Sequence, residues 1–407
     1  MTEAPRSRVP AVFLVLLGIV FFAFSAYEWC RAPLTSWYGK SFGISESFLG
    51  FIVGASTITG IVLKFPAGVL SDVFGRKKIL VLGTCFFAFT PLAYRFATTP
   101  WLLLAVRFVH GGATAIYGPV AMAVVADLFR ERRAEAVGWY TAMAQCGKAV
   151  GTAAVGWAFV KTGHRFGWTY LMALPIGLLA LLLACLIPLP AVARSSVEPV
   201  LRRIARSFRE ALREGRILLT AAADGVVMIA AGSIQGFLPI YARDVHGISE
   251  VRTGLLFSAQ IVTSLLSRPI TGMVSDRIGR KPMIVGGMIL AAGAFGCLAQ
   301  TGAFAILLIL SAVFGLAEAV IHTSSTAFAA DLCRRRSLGS AMGVFGAVSD
   351  VGHALGPILT GALLVVLAGR FDRAFAAVSA IVVLSAVLFG LFVRTAAPEE
   401  VPGPRPT

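Results

Sequence analysis

The chain has 407 residues, of which 57% are hydrophobic and only 14% charged, and its formal net charge is +16 at pH 7. Soluble domains carry about 25% charged residues, so this composition excludes a soluble globular fold and places most of the chain inside a membrane. Three long stretches without any charged residue support the same conclusion: 166–193, 282–317 and 374–393.

Apolar runs of the length needed to cross a bilayer, about 20 residues, recur along the whole chain. Together with the turn residues between them they predict twelve spans: 11–37, 46–70, 78–96, 101–126, 135–160, 166–190, 217–241, 250–274, 281–299, 302–328, 339–367 and 373–394. Span 1 is interpreted as a retained helix, because its run is too long for a signal peptide and no small-residue cleavage site follows. The predicted fold class is therefore an all-α membrane protein with twelve transmembrane helices.

The two halves of the chain repeat each other at a spacing of 204 residues. Three motifs return at this spacing: GVLSDVFGRKK at 68–78 as GMVSDRIGRKP at 272–282, GISE at 43–46 as GISE at 247–250, and Asp127-Leu-Phe-Arg as Asp331-Leu-Cys-Arg. A fixed period across separate motifs indicates two copies of one structural plan. We therefore predict two six-helix bundles, at 1–193 and 217–407, joined by a linker at 194–216.

Basic residues lie mainly on alternate loops. With the N-terminus inside, the inner side carries 23 Lys and Arg residues and the outer loops carry 8. This positive-inside bias predicts a bacterial inner-membrane protein with both termini in the cytoplasm. A nucleic-acid-binding protein would show one basic patch instead, so no nucleic-acid partner is expected. The linker has Arg opposite an apolar face, which predicts either a helix lying on the lipid bilayer or a solvated connector.

The sequence lacks the usual residue patterns of enzymes and metalloproteins. Its six cysteines are scattered without a CxxC pair, so neither a disulfide framework nor a metal site is predicted. Neither GxSxG nor HExxH occurs, and Gly39-Lys40-Ser41 lacks the first glycine of a phosphate-binding loop, where Leu34 stands. We therefore expect no enzymatic activity, no cofactor, and a monomer whose partners are a small-molecule solute and protons.

The doubled loop carries residues suited to a turn at the inner membrane face. They are the small residues Gly68 and Gly272, the turn glycines Gly75 and Gly279, the hydrogen-bond acceptors Asp72 and Asp276, and the cations Arg76 and Arg280. The small glycines are expected to let neighbouring helices approach closely.

The loop resembles the G-x-x-x-D-x-x-G-R-K motif of the major facilitator superfamily, and the twelve spans, two halves and central linker of this chain fit that family. The resemblance implies a secondary transporter that works by alternating access. It also implies that the doubled loops, with Asp127 and Asp331, gate the cytoplasmic side by pairing across the halves.

Ionisable residues inside a membrane are costly and mark solute or proton pathways. In the first half they are Glu28, Arg31, Lys64, Arg107, His110 and Lys148, and in the second Asp224, Arg268, Glu318, His322, Asp350 and His353. The central stretches of spans 3, 6, 9 and 12 carry none, which predicts that these helices face lipid. The family resemblance implies the same, and assigns the cavity to spans 1, 4, 7 and 10.

These residues divide by charge, because the first half is cation-rich and the second acid-rich. The predicted substrate-binding residues are Glu28, Arg31, Arg107, His110 and Lys148. The predicted proton-coupling residues are Asp224, Glu318, His322, Asp350 and His353. Several alternatives remain: Arg107 pairs with Glu28, Asp350 reaches across to neutralise Lys148 in the occluded state, the histidines merely satisfy neighbouring helices, and Lys64 and Arg268 snorkel, brace the gate or touch substrate.

The substrate expected from these charges is a small anion, moved with proton coupling. Arg31, Arg107 and Lys148 beside a single acid would need a negative partner, because a buried unpaired ion is costly. One alternative is a proton-coupled exporter of drugs or hydrophobic compounds. Such exporters carry a Gly-Pro pair in span 5, where this chain has Gly151-Thr152 and places the pair at Gly356-Pro357 in span 11. The other alternative is a membrane receptor that moves no solute, for which a long soluble tail would be expected.

Overall fold

The computed structural model describes residues 9–129, 131–189, 215–332 and 338–393. Within these ranges the regular structure is entirely helical. The first-half helices are Val9–Trp29 with Leu34–Ser41 (span 1), Glu46–Phe74 (span 2), Arg76–Arg95 (span 3), Pro100–Leu128 (span 4), Arg133–Lys161 (span 5), and Phe166–Leu171 with Leu174–Leu186 (span 6). The second-half helices are Gly215–Ile240 with the π turn Tyr241–Val245 (span 7), Glu250–Ile278 (span 8), Arg280–Leu298 (span 9), Phe304–Asp331 (span 10), Leu338–Val366 (span 11) and Phe371–Phe392 (span 12).

The predicted all-α fold with twelve membrane helices is confirmed. Spans 2 and 8 run about one turn beyond their predicted inner ends, to Phe74 and Ile278, because the helix continues until the glycine of the doubled loop stops it. The linker lies outside the described residues up to position 214, so its amphipathic helix stays a prediction.

Each repeated motif has the same local structure in both halves. The serine of GISE caps span 2 at Ser45 and span 8 at Ser249, where its side chain accepts a hydrogen bond from a backbone N–H. The loop glycines Gly75 and Gly279 have φ values of +96° and +101°, a region that favours glycine. Each of them ends one helix and begins the next, so the expected tight turn is present.

Helix packing follows the same repeat. Span 1 lies along span 5 and span 2 along span 4, as span 7 lies along span 11 and span 8 along span 10. Between the halves, span 2 packs against span 11 and span 5 against span 8. In the described part of the chain, ten helices are apolar enough to cross a membrane on their own, and the two that fall short are spans 5 and 8. These two helices contact each other through polar side chains, since the hydroxyls of Thr152 and Ser258 lie 2.9 Å apart.

The two halves meet backbone to backbone on the outer side of the protein. A Cβ atom added at Gly50 would lie 2.1 Å from the carbonyl oxygen of Pro357, and one at Gly156 would lie 2.2 Å from that of Glu250. Close approach of this kind needs glycine, because any side chain would hold the helices apart.

Hydrogen bonds add to this outer contact. The Trp37 indole donates to the carbonyl of Pro239 at 3.1 Å, and the Ser36 hydroxyl donates to that of Gln235 at 3.2 Å. Among the described residues, the innermost polar contact between the halves is the ion pair of Lys64 and Asp350. The contacts between the halves that the described residues show thus lie on the side away from the doubled loops, which the predicted topology makes the outer side.

We expect that Gly156→Val opens the outer side, because the new side chain would overlap the carbonyl of Glu250. The readout is labelling of a single Ser36→Cys thiol, in a cysteine-free background, by a membrane-impermeant maleimide added outside. Labelling should rise severalfold. Gly138→Val is the matched control on the same span, because an added Cβ there meets nothing within 4 Å. Equal labelling in both variants would contradict the assignment of Gly156 to the outer closure.

Candidate functional site

A cavity of about 490 Å³ lies between the halves. Its volume is in the range of sites that hold drug-sized organic molecules, about 300–1,000 Å³. Residues of spans 1, 2, 4 and 5 and of spans 7, 8, 10 and 11 line it. Spans 3, 6, 9 and 12 contribute none, which agrees with their predicted position facing lipid. The family resemblance assigned the cavity to spans 1, 4, 7 and 10 alone, although predicted site residues also lay on spans 5 and 11. Spans 2, 5, 8 and 11 reach the cavity because they form the contact between the halves.

The cavity wall mixes apolar and charged side chains. The apolar part includes Phe24, Tyr27, Met228, Phe257 and Ile261. The lining side chains of Asp, Glu, Lys and Arg are Glu28, Arg31, Lys64, Lys148, Asp224, Glu318 and Asp350. The first half lines the cavity with three cations and one acid and the second half with three acids, as the division by charge predicts, so that four acids face three cations over the whole cavity.

Arg31 connects the first half to the second. Its Nη1 atom lies 3.2 Å from Glu28 Oε1, and its Nη2 atom lies 2.8 Å from Nε2 of His353 on span 11. The same His353 nitrogen is 3.0 Å from Gln235 Oε1. Because Nε2 holds either a proton or a lone pair, it can bond only one of these two neighbours at a time. The carboxylate of Glu28 is thus paired with Arg31 at 3.2 Å, and the sequence-based alternative of a pair with Arg107 is wrong.

Lys64 forms an ion pair with Asp350 across the halves, from span 2 to span 11. In this conformation Lys64 does not snorkel to the surface, and Asp350 pairs with Lys64; neutralisation of Lys148 by Asp350 stays a prediction for the occluded state. The repeat counterpart of Lys64, Arg268, forms no ion pair among the described residues and does not line the cavity. The difference follows from the sequence, since the residue 204 positions before Asp350 is Cys146, which cannot accept an ion pair.

The second half gathers its acids around hydrogen-bond donors. Asp224 is fully buried, accepts a hydrogen bond from the Ser349 hydroxyl, and lies 3.3 Å from Nδ1 of His322. Glu318 accepts a hydrogen bond of 3.2 Å from the Gln260 side-chain amide. The structure thus brings the predicted proton-coupling residues of spans 7 and 10 to one wall of the cavity.

Lys148 lies on the opposite wall, on span 5. Its Nζ atom is 5.3 Å from the centroid of the Phe24 ring, within the range of a cation–π contact. Among the described residues no carboxylate oxygen lies within 4 Å of it, which is the distance of an ion pair. Lys148 therefore lies over an aromatic ring and forms no ion pair in the part of the chain that the structure describes.

Arg107 and His110 lie outside the cavity, although both were predicted to bind substrate. Arg107 is fully buried and donates to the carbonyl oxygens of Ile52 at 3.1 Å and Val53 at 2.5 Å. His110 is also buried, with Nδ1 3.0 Å from the hydroxyl of Tyr94. Both side chains therefore join helices within the first half, and we exclude them from the proposed solute site.

A glycine one helical turn after Arg107 explains this position. A Cβ atom at Gly111 would lie 2.1 Å from the carbonyl oxygen of Ser56 on span 2. Span 4 thus touches span 2 along the face that carries both Arg107 and Gly111, since residues four apart share a helix face. The spacing of four residues between Arg107 and Gly111 is visible in the sequence. The sequence does not show, however, which neighbouring helix this face contacts.

The doubled loops form ion pairs within their own halves in this conformation. Arg76 Nε lies 2.7 Å from Asp127, at the inner end of span 4, and Arg280 Nε lies 3.3 Å from Asp331, at the inner end of span 10. Arg280 also lies 2.6 Å from Asp276. These contacts anchor each loop to its own bundle. Pairing across the halves stays a prediction for the conformation that is closed on the inner side.

Two glycines of the doubled loop were expected to permit close helix contact. The surroundings of Gly68, like those of Asp72, lie outside the described part of the structure. At Gly272 an added Cβ would meet only Thr323, at an ordinary contact distance of 3.6 Å. Gly272 does not provide a close helix contact in this conformation, because spans 8 and 10 approach each other more closely at Gly315.

The site also contains three uncharged polar residues that a prediction from ionisable side chains does not include. They are Gln235, Gln260 and Ser349, which bond His353, Glu318 and Asp224 respectively. Glutamine is itself costly inside a membrane, and this could have drawn attention to both glutamines.

Replacing Arg107 with alanine should lower stability and leave the solute affinity of the folded protein unchanged. The variant loses buried hydrogen bonds from a charged group, each worth about 1.5–3 kcal/mol. Thermal melting in detergent and solute binding by the surviving fraction measure the two effects separately. Arg95→Ala, at the exposed outer end of span 3, is the control. Lost affinity with an unchanged melting temperature would assign Arg107 to the solute site instead.

The ion pair between the halves predicts rescue by charge reversal. Lys64→Asp and Asp350→Lys each place like charges together, so each should lower the melting temperature. The double variant should regain much of the loss, with a coupling energy of about 0.5–3 kcal/mol. Strictly additive losses would show that the two side chains do not interact in the folded protein.

Comparison with known proteins agrees with this architecture. The family model of the Major Facilitator Superfamily matches residues 15–254 and 221–407. An uncharacterized MFS-type transporter of Methanocaldococcus jannaschii is 26% identical over 376 residues, which cover 91% of this chain and 94% of that protein. Multidrug resistance protein 2 of Bacillus subtilis is 24% identical over 372 residues, which cover 86% of this chain and 88% of that protein.

A solved structure shows the same fold. It is a bacterial homologue of the human lysosomal transporter Spinster in an inward-facing, unoccupied conformation, with a TM-score of 0.78 at 16% identity over 95% of this chain and 97% of that one. With the family match over both halves, the conclusion is that the chain belongs to the Major Facilitator Superfamily and is a multi-pass membrane transporter, not an enzyme.

Proposed function

We propose that this transporter exports amphipathic organic compounds across the bacterial inner membrane in exchange for protons, with both termini in the cytoplasm. The observation that carries the proposal is a drug-sized cavity in which apolar walls surround more acids than cations. Export thereby takes the place of small-anion transport as the function that the geometry supports best.

The size of the cavity favours an organic solute. A sphere of 490 Å³ is about 10 Å across, which is far larger than a small inorganic anion and comparable with a drug-sized ligand. The aromatic rings of Phe24, Tyr27 and Phe257 offer flat apolar surfaces to such a molecule.

The electrostatics favour solutes that carry positive charge. Glu28 and Asp350 are already neutralised by Arg31 and Lys64. Glu318, in contrast, forms no ion pair among the described residues and accepts a hydrogen bond from the amide of Gln260. A carboxylate in this setting can be neutralised by a proton or by a cationic solute, but not by both at once. Competition of this kind is the simplest way to couple solute export to proton entry.

The absence of Gly-Pro from span 5 carries less weight once the packing is known. Span 11 is the repeat counterpart of span 5, and there Pro357 lies against Gly50 in the contact between the halves. The pair thus occupies the equivalent interface helix of the second half. The Bacillus subtilis relative, named for multidrug resistance, agrees with an export function.

One observation favours a second candidate, transport of a small anion. Lys148 faces the cavity without a carboxylate partner, and an anion would neutralise it. A phosphate or nitrate ion bound there would leave Glu318 unused. Anions and cations should therefore be compared in the same assay.

The assay is counter-transport in proteoliposomes with an imposed pH gradient, with a cationic rhodamine dye, nitrate and phosphate as solutes. We expect proton-driven movement of the dye and none of the anions. Glu318→Gln should abolish proton-driven movement, because an amide cannot carry the proton, whereas dye-for-dye exchange should continue but need a higher dye concentration. Glu135→Gln, exposed at the inner end of span 5, is the matched control. Movement of nitrate or phosphate without the dye would replace export by anion transport.

A further inference from the structure

We infer that the preferred solutes of this cavity are zwitterions, whose anionic group binds Lys148 and whose cationic group binds Glu318. The inference rests on the proposed export of organic compounds and specifies their chemical class. It follows from a juxtaposition of two charged side chains, one on each half, that line the same cavity and form no ion pair within 4 Å among the described residues.

The other charged side chains of the cavity already have partners. Glu28 pairs with Arg31, Lys64 with Asp350, and Asp224 with His322. Solute that bound at any of these positions would have to displace an existing contact. A charged solute group gains most where a charge of opposite sign is still available.

Lys148 supplies the positive end of the site. Its ammonium group lines the cavity, and its only described contact with another side chain is the face of the Phe24 ring. A cation–π contact leaves hydrogen-bond donors of the ammonium group free for a ligand. A carboxylate, sulfonate or phosphate group of a solute could accept them as a charge-assisted hydrogen bond.

Glu318 supplies the negative end, on span 10 of the other half. One of its oxygens accepts a hydrogen bond from Gln260, which fixes the orientation of the carboxylate without cancelling its charge. Since a carboxylate has about four acceptor positions, it remains able to accept a hydrogen bond from an ammonium or amidinium group. Thus Gln260 acts as a positioning residue for Glu318.

Lys148 and Glu318 do not neutralise each other. Both line one cavity of about 490 Å³, yet their charged atoms are not within the 4 Å of an ion pair. The cavity that both residues line is large enough for a drug-sized molecule, and its apolar walls suit the part of that molecule that joins its charged ends. A zwitterion adds no net charge to the membrane interior, so its transfer costs less than that of an ion.

Departures from the repeat point to the same two residues. The residue 204 positions after Lys148 is Gly352, and the residue 204 positions before Glu318 is Thr114. Neither counterpart is charged. The site therefore has a positive end on the first half and a negative end on the second, and the repeat does not place a second copy in the reverse orientation.

The test compares two dyes that differ in one group. Rhodamine B carries a carboxylate and a cationic ring system, and its ethyl ester retains only the cation. Binding of each to purified protein in detergent is measured by fluorescence anisotropy. We expect the wild type to bind the zwitterion about tenfold more tightly than the ester, the gain from one charge-assisted contact.

The variants separate the two ends of the site. Lys148→Gln should weaken binding of rhodamine B about tenfold and leave the ester unchanged, so that the preference disappears. Lys148→Arg should retain the preference, because it keeps the charge. Glu318→Gln should weaken both dyes to the same extent. Lys161→Gln is the matched control, since it removes an exposed lysine at the outer end of the same span.

Several outcomes would overturn the inference. They are equal binding of both dyes by the wild type, no binding of either dye, or an equal loss of both dyes in Lys148→Gln. The proposed export function fails separately, when bound dye is not moved by a pH gradient. Binding with the expected preference but without proton-driven movement would thus retain the zwitterion site and reject export.

Discussion

Neutralisation of charge inside the membrane is the constraint on which the rest of this structure depends. An ion in that setting costs several kcal/mol unless a partner or a hydrogen-bond donor compensates it. Two compensating contacts join the halves, Lys64 with Asp350 and Arg31 with His353. Any motion that separates these halves must provide new partners, from water, protons or solute. The charges of the cavity thereby link the conformation of the protein to what is bound in it.

Residues that repeat between the halves determine the helix framework, whereas residues that do not repeat supply the charged side chains of the cavity. Caps, loop glycines and loop arginines occupy equivalent positions in both halves, as Arg76 with Asp127 and Arg280 with Asp331 illustrate. Of the seven lining Asp, Glu, Lys and Arg residues, only Lys64 has a charged counterpart, Arg268. A symmetric frame allows the halves to exchange inner and outer closure. The lining is asymmetric, because the cavity's Lys and Arg residues come from the first half and most of its acids from the second.

The fold could be predicted because its determinants are local. Apolar length, turn residues and the repeat of 204 positions are properties of neighbouring residues, and the structure has the twelve helices that they indicate. The position of spans 3, 6, 9 and 12 away from the cavity could be predicted for the same reason, since an absence of charge is visible within each helix.

The partners of individual charges could not be predicted in this way. Rise per residue gives the depth of a side chain but not the direction in which it points around the helix. Arg107 and Glu28 have similar depths, yet Arg107 faces span 2 and Glu28 bonds Arg31. Lys64 reaches Asp350 because its side chain is long and flexible. The depth of its Cα atom in the membrane does not predict this contact either. A count of charges per half therefore suggested an anion site that the packing of Arg107 does not support.

Proton release upon solute binding tests most directly whether solute and proton compete for the cavity carboxylates. Calorimetric titration of the purified protein with a cationic dye, in buffers of different ionisation enthalpy, measures the number of protons released. We predict that binding of the dye releases protons. The number released should fall as the pH rises, because the carboxylates are then already deprotonated, and Glu318→Gln should release none. Binding that releases no proton at any pH from the acidic to the alkaline side of neutrality would contradict the competition and, with it, the coupling proposed for this cavity.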